Sequence, residues 1–131
     1  MKAISLWQPY ASAIMLELKG FETRSWDTRV RGRIAIHAAK RKPTGMELEL
    51  LKHFPSDERI LQFGGIVCTA DLVCTHRTEK VLPVPLLEQA LGDFTGGRFA
   101  WKLHDVRRCK FATFVDRQGF FEVPESLLEY M

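Results

Sequence analysis

From Arg33 to Ala39 the chain alternates without a break: Ile34, Ile36 and Ala38 fall on one side of an extended backbone, and Ala35, His37 and Ala39 on the other. A period of two is the signature of a β-strand. Comparable runs read as strands at Lys2–Leu6, Phe21–Trp26, Ile66–Cys74 and Arg98–His104. In the third, Ile66, Cys68, Ala70, Leu72 and Cys74 share a face; in the fourth, Phe99, Trp101 and Leu103 point to the core. Lys110–Val115 and Gly119–Val123 read as a closing hairpin that turns through Asp116-Arg117-Gln118-Gly119.

Helical signals lie between these strands. After Pro9, which suits the first turn of a helix, Ala11, Ile14, Met15 and Leu18 recur at i, i+3, i+4 and i+7, and Gly20 is expected to stop that helix. Thr44 and Glu47 form a T-x-x-E capping box, so a helix is expected from Gly45 to about His53, before Pro55. Shorter helical turns are expected at Asp57–Gln62, at Leu86–Leu91 ahead of Gly92, and after Pro124.

Five or six strands with helices inserted irregularly do not make a βαβ series, which argues against a doubly wound parallel sheet. The expectation is a mainly β, α+β fold, a small barrel of mixed pairing with peripheral helices. The 131 residues suit one domain spanning 1–131. With 46% hydrophobic and 27% charged residues, the composition excludes disorder, collagen, a coiled coil or a disulfide-stapled miniprotein. Cys68, Cys74 and Cys109 are odd in number, lack C-x-x-C spacing and sit in apolar runs, so they read as reduced thiols. No secretory leader and no apolar run of roughly 18 residues stands out, and the expectation is a cytoplasmic monomer.

The formal charge of +3 names no partner by itself. Its distribution does more. Residues 1–42 carry nine Lys or Arg against three acids, a balance of +6; residues 43–105 carry six against nine, and residues 106–131 four against four.

Three clusters in that basic first third carry chemistry. In Ser5-Leu6-Trp7-Gln8-Pro9-Tyr10, Gln8 offers a donor and an acceptor, and Trp7 and Tyr10 offer faces for a base; the same residues also read as core anchors and turn partners. In Lys19–Trp26, extended geometry sends Glu22, Arg24 and Trp26 to one side and Thr23 to the other, which suits either a polar planar ligand or a structural ion pair. Arg29, Arg31 and Arg33, with His37 and Lys40-Arg41-Lys42, suit phosphate oxygens or a solvated basic surface. There is no P-loop, dinucleotide fingerprint, H-E-x-x-H or G-x-S-x-G. The four histidines lack ligand spacing, so neither a metal nor a cofactor is expected.

Ile4-Ser5-Leu6-Trp7-Gln8-Pro9-Tyr10-Ala11-Ser12, Lys19–Trp26 and Arg31-Gly32-Arg33-Ile34-Ala35-Ile36-His37 together closely resemble the ASCH (activating signal cointegrator homology) family. Gly92-Asp93-Phe94 and Gly97-Arg98-Phe99-Ala100-Trp101 continue the likeness. The resemblance implies a β-barrel related to the PUA domain, and a cleft beside the first helix and second strand that binds RNA or, in some members, DNA. It implies a site of Ser5, Trp7, Gln8, Lys19, Glu22 and Arg24, flanked by Trp26, Arg29, Arg31, Arg33, His37 and Lys40.

One branch of that family removes acetyl from acetylated cytidine with a lysine, a threonine three residues on and a distal glutamate; ribonuclease activity has also been proposed for some members. Lys19 matches the lysine, but Glu22 stands at the threonine position. For a hydrolase, Glu22 would be the base, Lys19 would stabilise an oxyanion, and Asp93 or Glu88 would be the distal acid. The expected function is a nucleic-acid-binding module for RNA or a modified nucleotide. The alternatives are a small hydrolase of the kinds just described and a protein-interaction domain.

Overall fold

The computed structural model describes residues 1–131. Strands β1 (Lys2–Leu6), β2 (Phe21–Arg24), β3 (Gly32–Ala38), β4 (Gly65–Arg77), β5 (Phe99–Thr113) and β6 (Phe120–Glu122) form one curled sheet in the order β2-β5-β4-β3-β1-β6. Pairing is mixed: β1 runs parallel to β3, with Ala3 opposite Ala35 and Leu6 opposite Ala38, and every other neighbour is antiparallel. The crossover between the two parallel strands carries helix α1 (Tyr10–Met15) and β2.

The alternation in β3 is explained by burial on both sides of the sheet. Ile34, Ile36 and Ala38 enter the main core with Ile4, Ile14, Leu72 and Trp101, while Ala35 packs with Ile66, Phe121 and Val123. Full burial of each such isoleucine stabilises by about 1.5–3 kcal/mol. A third cluster, Ala13, Phe54 and Leu91, draws α1 against the irregular segments after β3 and β4. Those segments hold α2 (Gly45–Glu49) with a tighter turn at Leu50–His53, a turn at Ser56–Glu58, α3 (Thr78–Val81) and α4 (Leu86–Ala90). The helix expected over 45–53 forms as α2 continued by the tighter turn at Leu50–His53, the turn expected over 57–62 is a shorter one at 56–58, and α3 falls in a stretch read as loop. No helix is long and apolar enough to cross a membrane.

Four expectations are corrected. First, α1 ends at Met15, and Glu17, at φ 60°, makes the left-handed exit assigned to Gly20. Gly20 instead donates its N–H to Glu88 Oε1 at 2.8 Å. Second, β5 is one strand of 15 residues, bent at Asp105 (φ 51°) and slipped against β4 by bulges, which is why its pattern breaks into two runs. Third, the closing hairpin does not form: β6 pairs with β1, on the far side of the sheet from β5. Fourth, the register shift between Ile66 and Cys68 puts Val67 in the main core and turns Ile66 to the opposite face.

Gly65 is where backbone crowding is greatest. A Cβ there would lie 2.5 Å from Ala112 O and 2.6 Å from the Phe111 ring, whereas one on Gly96 would meet nothing within 4 Å. Gly65→Ala is expected to lower unfolding free energy by about 1–3 kcal/mol. Gly96→Ala is expected to stay within about 0.5 kcal/mol of the parent. Urea midpoints of the two variants decide it, and equal midpoints would contradict the packing at β4 and β5.

Candidate functional site

Arg24, at the end of edge strand β2, donates through Nη2 to Ser5 O on β1 at 2.9 Å. Three strands separate β2 from β1 in the sheet order, so this bond spans the open side of the curl. Trp26 reinforces it, edge-on to Trp101 of β5 at 4.8 Å and to Phe120 of β6 at 6.1 Å. Between the elements so joined lies a cleft of about 440 Å³, within the roughly 300–1,000 Å³ typical of small-molecule sites.

A buried charged group lies at its base. Lys19 is 2% exposed; its Nζ donates to Leu91 O at 2.7 Å and lies 3.6 Å from Glu22 Oε1. The other carboxylate oxygen of Glu22 accepts from Arg24 Nε at 2.7 Å. Desolvation pulls the Lys19 amine below the ordinary lysine range, opposed by the nearby carboxylates of Glu22 and Glu88. Thr23, expected on the far face, also reaches this cleft. Its Oγ1 accepts the Asp93 N–H at 2.9 Å. A Cβ on Gly92 would lie 2.9 Å from the Phe94 ring and 3.4 Å from both that oxygen and Lys19 Nζ, so the glycine lets the Phe94 ring, the amine and the hydroxyl pack round one point.

The rim is aromatic and cationic. Trp7 is 53% exposed and carries the Arg41 guanidinium over its ring at 3.9 Å. Arg41 Nη1 reaches both oxygens of Glu47, at 3.0 and 3.1 Å, and Glu47 lines the cleft with Tyr10. Burial, and then the Glu47 carboxylate, raise the Tyr10 phenol above its usual range. On the opposite wall, hydrogen bonds from the Thr95 hydroxyl and N–H hold the Asp93 carboxyl below its usual range, and Arg98 lies 3.4 Å away.

Of the residues singled out in the sequence, Ser5, Trp7, Tyr10, Lys19, Glu22, Arg24 and Asp93 line the cleft, and Trp26 lines a groove beside it. The others do not. Gln8 is fully buried: Oε1 accepts the Ser12 N–H at 3.0 Å, capping α1, while Nε2 donates to Ser12 Oγ and Gln62 O. His37 is buried as well, 2.9 Å from Ser5 Oγ through Nδ1 and 2.8 Å from Phe114 O through Nε2. Arg33 is held by Asp71 and Asp105 on β4 and β5.

Arg31 is spent on the carbonyls of Thr28 and Val30 and on the Thr75 hydroxyl. Neither it nor Arg29 lines the cleft or the groove. Lys40 is exposed, with its stem laid over Gly64. Glu88 binds the N–H groups of Gly20 and Phe21, so it shapes the turn carrying Lys19. Arg41 reaches the rim as a member of the basic run Lys40-Arg41-Lys42, whereas Glu47 and Arg98 carry no binding role in the sequence reading; the T-x-x-E box at Thr44 is the signal that points near Glu47. No three His, Cys, Asp or Glu side chains gather as a metal cluster.

A curled mixed sheet with a cleft between its first helix and second strand defines a small PUA-like α+β fold. Within that class the chain belongs to the ASCH domain family, whose family model matches residues 4–85. The crystal structure of ASCH from Zymomonas mobilis superposes with a TM-score of 0.62 at 18% identity, covering 96% of this chain and 89% of that one. A single-residue mutant of the same protein gives 0.58 at 15% identity, over 96% and 91%. No curated protein sequence matches the chain.

Because burial lowers the Lys19 pKa, the unfolded chain binds a proton that the folded one does not in the window between the lowered value and 10.5. Lys19 therefore contributes stability that increases as pH rises through that window. A ¹³Cε titration of the lysines is expected to show one resonance turning over ahead of the rest and missing in Lys19→Met. Uniform titration would contradict the burial of this amine.

Proposed function

We propose that the protein is a nucleic-acid-binding module whose cleft takes one base or nucleoside of an RNA strand. The observation that carries this is the joining of an exposed Trp7, braced on one face by Arg41, to a buried Lys19–Glu22–Arg24 group in the same cleft. An aromatic face stacks on any base, whereas fixed donors and acceptors match the edge of a particular one. The carboxyl oxygens of Glu22 accept from exocyclic or ring N–H groups, and the Lys19 amine donates to carbonyl oxygens. Because they lie at the cleft, Arg41 and Arg98 take the phosphate role from Arg29, Arg31, Arg33 and Lys40, each keeping guanidinium N–H groups beyond those it gives to Glu47 or to Asp93 and Thr23.

A second reading, an amidohydrolase acting on an acylated nucleoside, draws on the lowered pKa of Lys19 and the Thr23 hydroxyl that shares the space beside Gly92 with it. A lysine whose pKa is lowered by burial, beside a hydroxyl, is the kind of arrangement that can activate a nucleophile. Incubation with acetylated cytidine tests it. Release of acetate that is abolished by both Lys19→Met and Thr23→Val supports the enzyme, and no release by the wild-type protein removes it.

For the binding reading, Trp7→Ala is expected to weaken single-stranded RNA by about 1–3 kcal/mol, the range for one base–aromatic stack. Log affinity is expected to fall with log salt at a slope of roughly −0.7 per phosphate contacted. The Arg29→Ala, Arg31→Ala double variant is expected to bind like wild type. Fluorescence anisotropy with labelled RNA measures all three, and full affinity in Trp7→Ala would overturn the assignment of the cleft.

A further inference from the structure

Beside the cleft runs a groove of about 680 Å³, bounded on its far side by Asp116, Arg117, Gln118 and Gly119, the loop between β5 and β6. Groove and cleft share Ser5, Trp7 and Arg24, so Trp7 borders both. The groove adds a second exposed indole, Trp26, held edge-on by Trp101 and Phe120 and so fixed in orientation.

Its charges are arranged unequally. Asp116 is committed inward: Oδ2 accepts the Lys40 N–H at 3.1 Å, and Oδ1 lies 3.3 Å from the buried His37 ring. Arg117, next to it, is exposed and forms no hydrogen bond or ion pair with the rest of the chain. The loop is thus pinned at one residue and presents a free guanidinium at the next, beside an immobilised aromatic ring.

We propose that this groove is a second nucleotide subsite, so that the ligand is a single strand of at least two nucleotides rather than a free nucleoside. The proposal rests on the reading of the cleft as a base site. One base enters the cleft, its neighbour stacks in the groove on Trp26, and Arg117 meets the phosphate of the second nucleotide. Successive bases on successive aromatic faces, with cations along the backbone, is the general pattern of single-strand recognition. A free nucleoside fills only the cleft.

The test measures tryptophan quenching by the four nucleosides and the four homotetraribonucleotides on wild type, Arg117→Glu and Arg117→Ala. Wild type is expected to bind the preferred tetranucleotide about tenfold or more tighter than its nucleoside, the order of one added stack and its phosphate contact. Arg117→Glu is expected to remove that gain and leave nucleoside affinity unchanged, and Arg117→Ala to give a smaller loss in the same direction. Arg117 supports no packing, so these variants fold as the parent does. Equal affinity for nucleoside and tetranucleotide, or a gain that survives Arg117→Glu, overturns the second subsite and leaves the cleft reading intact. Binding of neither probe overturns both.

Discussion

The cleft depends on one guanidinium. Arg24 leaves edge strand β2, takes the carboxylate of Glu22 on Nε and delivers Nη2 to Ser5 O on β1, joining strands that three others separate in the sheet. A curled, unclosed sheet of six strands has two edges, and an unpaired edge exposes backbone donors and acceptors. Here the Arg24 bond and the Trp26, Trp101 and Phe120 cluster hold the two ends of the sheet near each other without closing a backbone ladder. The space left between them is the site.

The same region contains groups that a fold built for stability alone would avoid. Lys19 loses its hydration almost completely and recovers one carbonyl bond and an ion pair at 3.6 Å, a distance longer than a good hydrogen bond. A buried pair of that kind is weak evidence for stability, because desolvation offsets most of the attraction. Its persistence has a reason if the Glu22 oxygen and the Lys19 amine are held ready for a ligand that completes their hydrogen bonds. Perturbed groups converging in a cleft are where function is sought first.

The elements were legible where local chemistry decides. The alternation of β3, the apolar face of α1 and the T-x-x-E box all reflect neighbours within one turn or one strand, and the first forty residues carried the family resemblance. The errors came where distant segments decide. Asp116-Arg117-Gln118-Gly119 has the composition of a hairpin turn, yet β6 gains more by covering Ala3 and Ile4 than by pairing with its neighbour. Three closely spaced arginines read as a phosphate loop, but Asp71 and Asp105, many residues away, neutralise Arg33. Gln8 and His37 have functional side chains in a functional stretch, and only burial reveals that Ser12, Gln62, Ser5 and Phe114 already occupy them.

Glu47 shows how a folding signal and a site can be the same atoms. Its Oε1 accepts the Thr44 N–H at 3.0 Å, closing the start of α2, and also accepts from Arg41 Nη1 at 3.0 Å. The capping residue therefore fixes the guanidinium that lies on Trp7. An exposed arginine loses side-chain entropy when it is held over a ring, a cost of up to about 2 kcal/mol on common scales. By anchoring Arg41 from a helix that must be capped in any case, the chain meets that cost in the free protein rather than on binding. In the proposed binding mode Trp7 then presents its remaining surface already oriented, and affinity would reflect contacts more than ordering. The helix buries none of its own side chains; the Leu50 and Leu51 that follow it pack on the Ala13, Phe54 and Leu91 cluster and hold it at the mouth of the cleft.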